Sequence, residues 1–258
     1  MTESAVTTPE NLPSTTVDFF RSNGFVKVPQ VISSGEVDTY REAVIEFQEQ
    51  KLGGSEEVRG GKVFHQFVNV WRENERLKPL TLHPNVGRIA EKLTGGPLRL
   101  WHDHILTKPP HNEAPTEFHQ DQPYWPHENS PNPISAWIAL VDVPVEKGCM
   151  TFIPGSFRHT DLPSQNLNDA NSLFSIRPDL RWESRMTLPL QAGDCTFHHG
   201  RCAHMATPNL TEDSRYAYVV IYVDQTTTYR ASKRHIVTDP LGIEEGALLD
   251  GEFFPAVG

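Results

Sequence analysis

The sequence has few of the features that mark secreted or membrane-bound proteins. Its three cysteines, Cys149, Cys195 and Cys202, form no CxxC pair, which argues against a disulfide framework and a thiolate zinc site. No apolar run approaches the ~20 residues that a membrane-spanning helix requires. The first residues lack the basic and apolar regions of a secretory signal peptide. We therefore expect a cytoplasmic protein.

An excess of positive charge is also missing. The formal net charge is −10 at pH 7, whereas nucleic acids and anionic membranes are bound through an excess of lysine and arginine. Both classes of partner are thereby disfavoured. We expect a small-molecule substrate, and a chain that acts as a monomer or weak homodimer.

Length and composition predict one domain behind a short tail. Residues 1–16 are dominated by Thr, Ser, Pro and Glu, which is typical of a flexible segment. The remaining residues, 17–258, fall within the size range of a single all-β domain. Within them, residues 161–182 form a long polar insert without clear hydrophobic periodicity. Inserts of this length in compact domains are often lids over a site.

The hydrophobic pattern predicts a few helices followed by many short strands. Helices are expected over 17–22, after the capping box of Ser33 and Glu36, and from Pro84 to Leu93, with a loop over 51–61. Short β-like runs separated by Pro, Gly and Asn favour a sandwich or barrel, mainly β with flanking helices. The predicted strands are 25–28, 62–70, 98–108, 117–120, 136–141, 150–153, 185–190, 195–199 and 216–223.

One pair of residues has the spacing of metal ligands. His119 and Asp121 are two residues apart, and such residues project from the same face of an extended strand. A third neutral ligand would complete the two-histidine, one-carboxylate triad of non-haem iron enzymes, which leaves coordination positions open for a co-substrate and dioxygen. Alone, however, the pair is a weak signal in a chain with 12 histidines.

The C-terminal half supplies the missing context. Residues 193–198 form a turn and a strand, and His204, Asn209 and Arg215 follow. Arg215 opens the alternating strand at 216–223, where a planar guanidinium would lie beside the next strand of the sheet. Such a group is well suited to hold a carboxylate.

This arrangement resembles the C-terminal signature of the phytanoyl-CoA dioxygenase family. The similarity extends to Phe118-His119-Gln120-Asp121 and to Gly148-Cys149-Met150, and it covers roughly residues 17–223. It implies a double-stranded β-helix, that is, a jelly roll or cupin-like barrel. It further implies an oxygenase that uses Fe(II), 2-oxoglutarate and O2, hydroxylates or otherwise oxidises its substrate by hydrogen abstraction, and releases succinate and CO2.

The resemblance assigns roles to individual residues. His119, Asp121 and His204 match the iron ligands, and Arg215 matches the residue that holds the 2-oxoglutarate C5 carboxylate. Further cofactor contacts are expected from Trp137, His104 and Gln66. The family often has a hydroxyl residue two positions after the distal histidine; here that position is Ala206, and Thr207 is the candidate replacement. Because the related halogenases lack the carboxylate, Asp121 favours hydroxylation or another oxidation.

Substrate contacts are expected from Tyr124, Trp125 and His102. For each of them packing or a structural hydrogen bond is the commoner role. Members of the family oxidise acyl-CoA thioesters, compatible solutes and natural-product intermediates, and the absence of a basic cluster for CoA favours a small natural product. Two alternatives stay open: a cupin-like metal-dependent isomerase or hydrolase without 2-oxoglutarate, and a non-catalytic barrel that binds a ligand.

Overall fold

The computed structural model describes residues 5–52 and 64–257. Five α-helices of this part of the chain are α1 (Ser14–Asn23), α2 (Ser34–Leu52), α3 (Lys78–Thr81), α4 (Pro84–Thr94) and α5 (Ser172–Ile176). Its strands are β1 (Phe25–Val28), β2 (His65–Val68), β3 (Leu98–Lys108), β4 (Thr116–His119), β5 (His127–Glu128), β6 (Ile134–Ala139), β7 (Met150–Phe152), β8 (Met186–Leu188), β9 (Cys195–His199), β10 (His204–Ala206), β11 (Arg215–Asp224) and β12 (Thr228–Tyr229).

Two antiparallel sheets form the body of the protein. The larger has the order β1-β9-β6-β11-β3-β2, and the smaller has the order β4-β10-β7-β8. Phe25 of the first sheet stacks on Phe152 of the second, with ring centroids 4.5 Å apart, so an apolar core fills the space between the sheets. The chain is thus mainly β, with the jelly-roll fold that the resemblance implied. The sheets face each other without closing into a continuous barrel in the described residues.

Helices α1 to α4 cover the outer face of the larger sheet, whereas α5 packs against Phe118 of β4. Alternation along β11 explains this arrangement, since Ala217, Val219 and Ile221 belong to the core between the sheets, whereas Tyr218 and Val220 pack with the helices. The capping box forms as predicted: the Ser33 amide donates to Glu36 Oε2 at 2.8 Å, and the Glu36 amide donates to Ser33 Oγ at 3.3 Å.

The predicted flexible tail at 1–16 is too long. Helix α1 begins at Ser14, Leu12 is buried in the outer core, and the Thr7 amide donates to the Gln30 carbonyl at 2.8 Å. A single leucine in a polar stretch gives too little periodicity to reveal this docking. Most of the predicted loop at 51–61 lies outside the described residues.

The insert at 161–182 lies beside β4, the strand that ends at His119. The Leu167 carbonyl accepts a hydrogen bond from the Glu117 amide at 3.1 Å, and Gln165 Oε1 accepts one from the Gln120 amide at 2.8 Å. The insert also contains α5, which the sequence pattern did not predict. The insert thus bonds to β4 through the Leu167 carbonyl and to the residue after β4 through the Gln165 side chain.

No helix in the described ranges combines the length and the apolar character needed to cross a bilayer.

Candidate metal centre and active site

Strands β4 and β10 bring the three predicted metal ligands together. His204 pairs directly with His119 across the two strands, and their ring centroids are 4.3 Å apart. Asp121 follows β4, and its Oδ1 atom lies 3.4 Å from His119 Nε2 and 3.7 Å from His204 Nε2. Within the described part of the chain, these residues are the one group of three potential ligands whose donor atoms converge.

Backbone carbonyls fix the orientation of both imidazoles. His119 Nδ1 lies 2.8 Å from the Glu117 carbonyl oxygen, and His204 Nδ1 lies 2.9 Å from the Cys202 carbonyl oxygen. A carbonyl only accepts, so each Nδ1 carries the proton and each Nε2 keeps its lone pair for a metal. Burial, with the neighbouring His119, lowers the pKa of His204 to about 3, which keeps its imidazole neutral at pH 7.

The second oxygen of Asp121 is held from the larger sheet. Asp121 Oδ2 accepts a hydrogen bond from Ser135 Oγ at 3.3 Å and lies 3.3 Å from His198 Nε2. These contacts leave Oδ1 directed towards the two histidines. The carboxylate is therefore oriented before a metal binds, with one oxygen available as a ligand.

Arg215 is a buried cation without an acidic partner. Its side chain is 2 % exposed and forms no salt bridge with any acidic residue that the structure describes. Its Nη1 and Nη2 atoms donate to the carbonyls of Gly148 and Leu106, both at 3.3 Å, but Nε has no partner in this part of the chain. Burial lowers the pKa of the guanidinium to about 9, so it stays charged at pH 7.

Three other predicted cofactor residues lie close to this guanidinium or share its cavity. Arg215 Cζ is 5.1 Å from the ring centroid of Trp137. His104 Nδ1 lies 3.1 Å from Gln66 Nε2; because the amide nitrogen donates, the proton of a neutral imidazole is on Nε2, which can donate to an anion in the cavity. Gln66 thus sets the tautomer of His104.

Thr207 is placed differently from the prediction. Its hydroxyl donates to the Val145 carbonyl at 2.7 Å, and Thr207 is not among the residues that line the cavity. Its carbonyl accepts a hydrogen bond from the buried ammonium of Lys108 at 2.8 Å. The backbone after β10 thus turns this hydroxyl towards the Val145 carbonyl and not into the cavity, which residue spacing does not reveal.

A cavity of about 290 Å³ connects the metal ligands with Arg215. The predicted substrate residues Tyr124, Trp125 and His102 line it, as do Trp137, His104 and Gln66. Leu167 contributes from the insert, and His235 and Ile236 contribute from the segment after β12. Apolar and aromatic side chains thus line the cavity together with a cluster of histidines, Asp121 and Arg215, and such a mixture suits a small molecule that has polar groups.

Two residues of the cavity were missed as functional candidates. His198 contacts Asp121. The sequence offered a signal for it, because His198 and Thr196 are two residues apart on the predicted strand at 195–199 and therefore project from the same face. His235 lies in a segment without hydrophobic period, so only the tertiary fold reveals its position.

The fold and the site together define a class of protein. A jelly roll that holds two histidines and one carboxylate in a cavity with a buried guanidinium, which has no acidic partner in the described residues, has the groups of a non-haem iron, 2-oxoglutarate-dependent oxygenase. Residues 20–217 match the profile of the family described as phytanoyl-CoA dioxygenase (PhyH). The chain belongs to this family, whose enzymes use Fe(II), 2-oxoglutarate and O2.

Similar proteins agree with this assignment. The peroxisomal phytanoyl-CoA dioxygenase of Bos taurus is 24 % identical over 231 residues, which cover 82 % of this chain and 68 % of that protein; the Homo sapiens enzyme is also 24 % identical, with 77 % and 64 % covered. The chain therefore spans about two thirds of the length of these curated relatives.

Two solved structures are more similar. The non-haem α-ketoglutarate-dependent carbocyclase SnoK from nogalamycin biosynthesis is 36 % identical, with a TM-score of 0.89 and 99 % of this chain and 100 % of that chain covered. The epimerase SnoN in complex with Fe3+, α-ketoglutarate and nogalamycin RO is 35 % identical, with a TM-score of 0.82 and coverage of 95 % and 98 %.

Proposed function

We propose that the protein oxidises a small natural-product intermediate by hydrogen abstraction, with 2-oxoglutarate as co-substrate and succinate and CO2 as co-products. The observation that carries this proposal is the buried guanidinium of Arg215, which has no acidic partner in the described residues and shares a cavity with the His119, Asp121 and His204 group. An uncompensated buried cation is costly, so it implies an anionic ligand.

The residues present fit both the metal and the co-substrate. His119 Nε2, His204 Nε2 and Asp121 Oδ1 would hold Fe(II), while Arg215 would hold the distal carboxylate of 2-oxoglutarate, supported by Trp137 and the Nε2 proton of His104. Iron and 2-oxoglutarate together supply the activation of O2. The chain itself contributes the orientation of the ligands and a largely apolar cavity that excludes water.

The experiment is a coupled assay on protein reconstituted anaerobically with Fe(II). On addition of 2-oxoglutarate and O2, we expect one succinate and one CO2 for each 2-oxoglutarate consumed, with a faster rate when an accepted substrate is present. Arg215→Ala should lose this activity at low 2-oxoglutarate, whereas Arg88→Ala, at an exposed arginine paired with Glu10, should not.

The two alternatives predict other outcomes. A cupin-like isomerase or hydrolase would show metal-dependent turnover without consumption of 2-oxoglutarate. A non-catalytic barrel would bind neither Fe(II) nor 2-oxoglutarate. Either result would replace the proposed function.

The choice of a natural-product intermediate is supported by the two structural relatives, both named for nogalamycin biosynthesis and similar over nearly the whole chain. Their names also show that one is a carbocyclase and the other an epimerase. Because these outcomes and hydroxylation all begin with abstraction of a hydrogen atom, the proposal covers the first step and leaves the product to the substrate's chemistry.

The proposal has three further parts, which concern the location and partners of the protein, its domain and the insert at 161–182. We infer that the chain acts in the cytoplasm as a monomer or weak homodimer, without nucleic acid or membrane partners, which its net charge of −10 favours. We also infer that residues 17–258 form one domain, onto which residues 7–16 pack. Finally, residues 161–182 act as a lid, since Leu167 borders the cavity.

A further inference from the structure

Two histidines at one end of the cavity have hydrogen-bonding atoms of opposite kind for which the described residues provide no partner. His102 lies on β3 and His235 in the segment after β12, and their ring centroids are 5.6 Å apart. Both line the cavity. The roles proposed for the metal ligands and for Arg215 do not account for either histidine.

His102 offers a buried acceptor. Its Nδ1 lies 3.2 Å from the Asp103 carbonyl oxygen, and because a carbonyl cannot donate, Nδ1 carries the proton. Nε2 then keeps its lone pair, and it has no partner among the residues that the structure describes. The side chain is 3 % exposed. A buried acceptor left unsatisfied is destabilising, so this atom implies a donor in the bound state.

His235 offers the complementary donor. The Val237 amide donates to His235 Nδ1 at 3.3 Å, so Nδ1 is the acceptor nitrogen and the proton of the neutral imidazole is on Nε2. The ring is fixed against Trp101, with centroids 5.3 Å apart. Burial lowers the pKa of His235 to about 4 and lowers that of His102 as well, so both rings are neutral at pH 7.

The pair lies on the Asp121 side of the cavity. His102 is level with Ile221 on β11 and, one strand further, with Ser135, whose hydroxyl donates to Asp121 Oδ2. The ring centroid of His102 is 5.4 Å from that of His104, so the pair adjoins the part of the cavity where the Nε2 proton of His104 would reach 2-oxoglutarate. The subsite would therefore hold a substrate hydroxyl beside the co-substrate.

We propose that His102 and His235 form a hydroxyl-binding subsite: the substrate hydroxyl donates to His102 Nε2 and accepts from His235 Nε2–H. A hydroxyl supplies both functions from one oxygen atom, which matches one free acceptor and one free donor. The neighbouring walls contain Tyr124, Trp125 and Ile221, so the hydroxyl is carried on an apolar body with rings. This subsite rests on the proposed function, because it assigns the substrate end of that site.

The test uses 2-naphthol and 2-methylnaphthalene, which have similar shape and differ in the hydroxyl group. Their binding is measured by fluorescence titration of the Fe(II)- and 2-oxoglutarate-loaded protein without oxygen. We expect 2-naphthol to bind about tenfold more tightly. His102→Phe and His235→Phe should each reduce this preference, and His102→Gln, which keeps an acceptor, should restore part of it. His111→Phe, at an exposed histidine paired with Glu212, should leave it unchanged.

Equal binding of the two probes to the wild type, or an unchanged preference in both phenylalanine variants, would overturn the subsite and indicate that a water molecule alone satisfies the pair. Thermal unfolding of each variant shows whether it is folded. Succinate formation from 2-oxoglutarate is measured in parallel. Loss of the preference with normal succinate formation concerns the subsite, whereas absent succinate formation in the wild type concerns the proposed function.

Discussion

Arg215 lies over the ring of Trp137, with Cζ 5.1 Å from the ring centroid, in a cavity where no acidic side chain of the described residues neutralises it. The two residues come from neighbouring strands, since β11 pairs with β6. A cation fixed in this way at one end of the cavity, with His119, Asp121 and His204 nearby, prepares the site for an anion that also reaches the metal.

Removal of this guanidinium should weaken 2-oxoglutarate binding. Loss of one partner of a buried charge pair costs about 2–5 kcal/mol, so Arg215→Ala is expected to raise the dissociation constant roughly 30-fold or more. Arg215→Lys should be intermediate, because it keeps the charge but not the planar fork. Anaerobic titration of the metal-loaded protein measures this effect. Equal affinities in the wild type and Arg215→Ala would contradict the assignment.

Substitution of the three predicted metal ligands should affect Fe(II) binding differently from substitution of His198, which contacts Asp121. We expect His119→Ala, Asp121→Ala and His204→Ala to abolish stoichiometric Fe(II) binding. His198→Ala removes a contact to Asp121 Oδ2 and the packing of the His198 ring on His204, but no predicted ligand atom, so it should weaken Fe(II) binding about 10–100-fold without abolishing it. Anaerobic equilibrium dialysis distinguishes the two results. Full Fe(II) affinity in any of the three ligand variants would exclude that residue from the set.

Asp103 gives the protein a pH-dependent stability. It lies on β3 with Oδ2 accepting from Thr81 Oγ1 at 2.6 Å and from the Trp71 amide at 2.9 Å. Burial raises the pKa of this carboxyl to about 6. The folded state therefore binds the proton more tightly than the unfolded state, and this stabilisation is present below pH 4 and lost as the pH rises through 6.

Asp103→Asn should remove this dependence. A pKa of about 6 in place of 3.8 corresponds to roughly 3 kcal/mol. Between pH 4 and pH 7, the free energy of unfolding of the wild type should fall by about this amount relative to the variant, as measured by urea unfolding. Asp38→Asn, at an exposed carboxylate, provides the reference. A difference between wild type and Asp103→Asn that is constant with pH would refute the role of this carboxyl.

The proposed lid can be tested by limited proteolysis. Trypsin cleaves after arginine, and Arg177 and Arg181 lie within the insert while Arg185 follows it. If residues 161–182 close over the cavity, then Fe(II), 2-oxoglutarate and an accepted substrate together should slow cleavage at these positions. Cleavage after Arg88 serves as the internal reference. An unchanged ratio of the two cleavage rates would remove the lid from the account.

The sequence predicted the parts of the site that depend on local geometry. The strand at 195–199 has the bounds that the sequence predicts. His119 and Asp121 come together as predicted, but not by alternation along one strand, because β4 ends at His119 and Asp121 has helical backbone torsions (φ −76°, ψ −46°). The prediction of the remaining ligand, His204, depends on the family resemblance, because the family has a histidine, an asparagine and an arginine in the order of His204, Asn209 and Arg215. Strand β10 itself was missed, because three residues are too few to show alternation.

The features that the sequence did not predict depend on tertiary contacts. His235 reaches the cavity from the C-terminal segment, and Thr207 turns its hydroxyl to the Val145 carbonyl. Both side-chain positions depend on the path of the backbone after a strand ends, which is β12 for His235 and β10 for Thr207. The docking of residues 7–12 on the body likewise depends on partners distant in sequence. An example is the side-chain Nδ2 of Asn85, which donates to the Thr7 carbonyl at 2.8 Å.

The most direct measurement is a crystal structure of the anaerobic complex with Fe(II) and 2-oxoglutarate, with iron located by anomalous scattering at its absorption edge. We expect one iron peak bounded by His119 Nε2, His204 Nε2 and a carboxylate oxygen of Asp121, with the far carboxylate of 2-oxoglutarate on the guanidinium of Arg215. An iron peak away from these three side chains, or 2-oxoglutarate bound without contact to Arg215, would contradict the account.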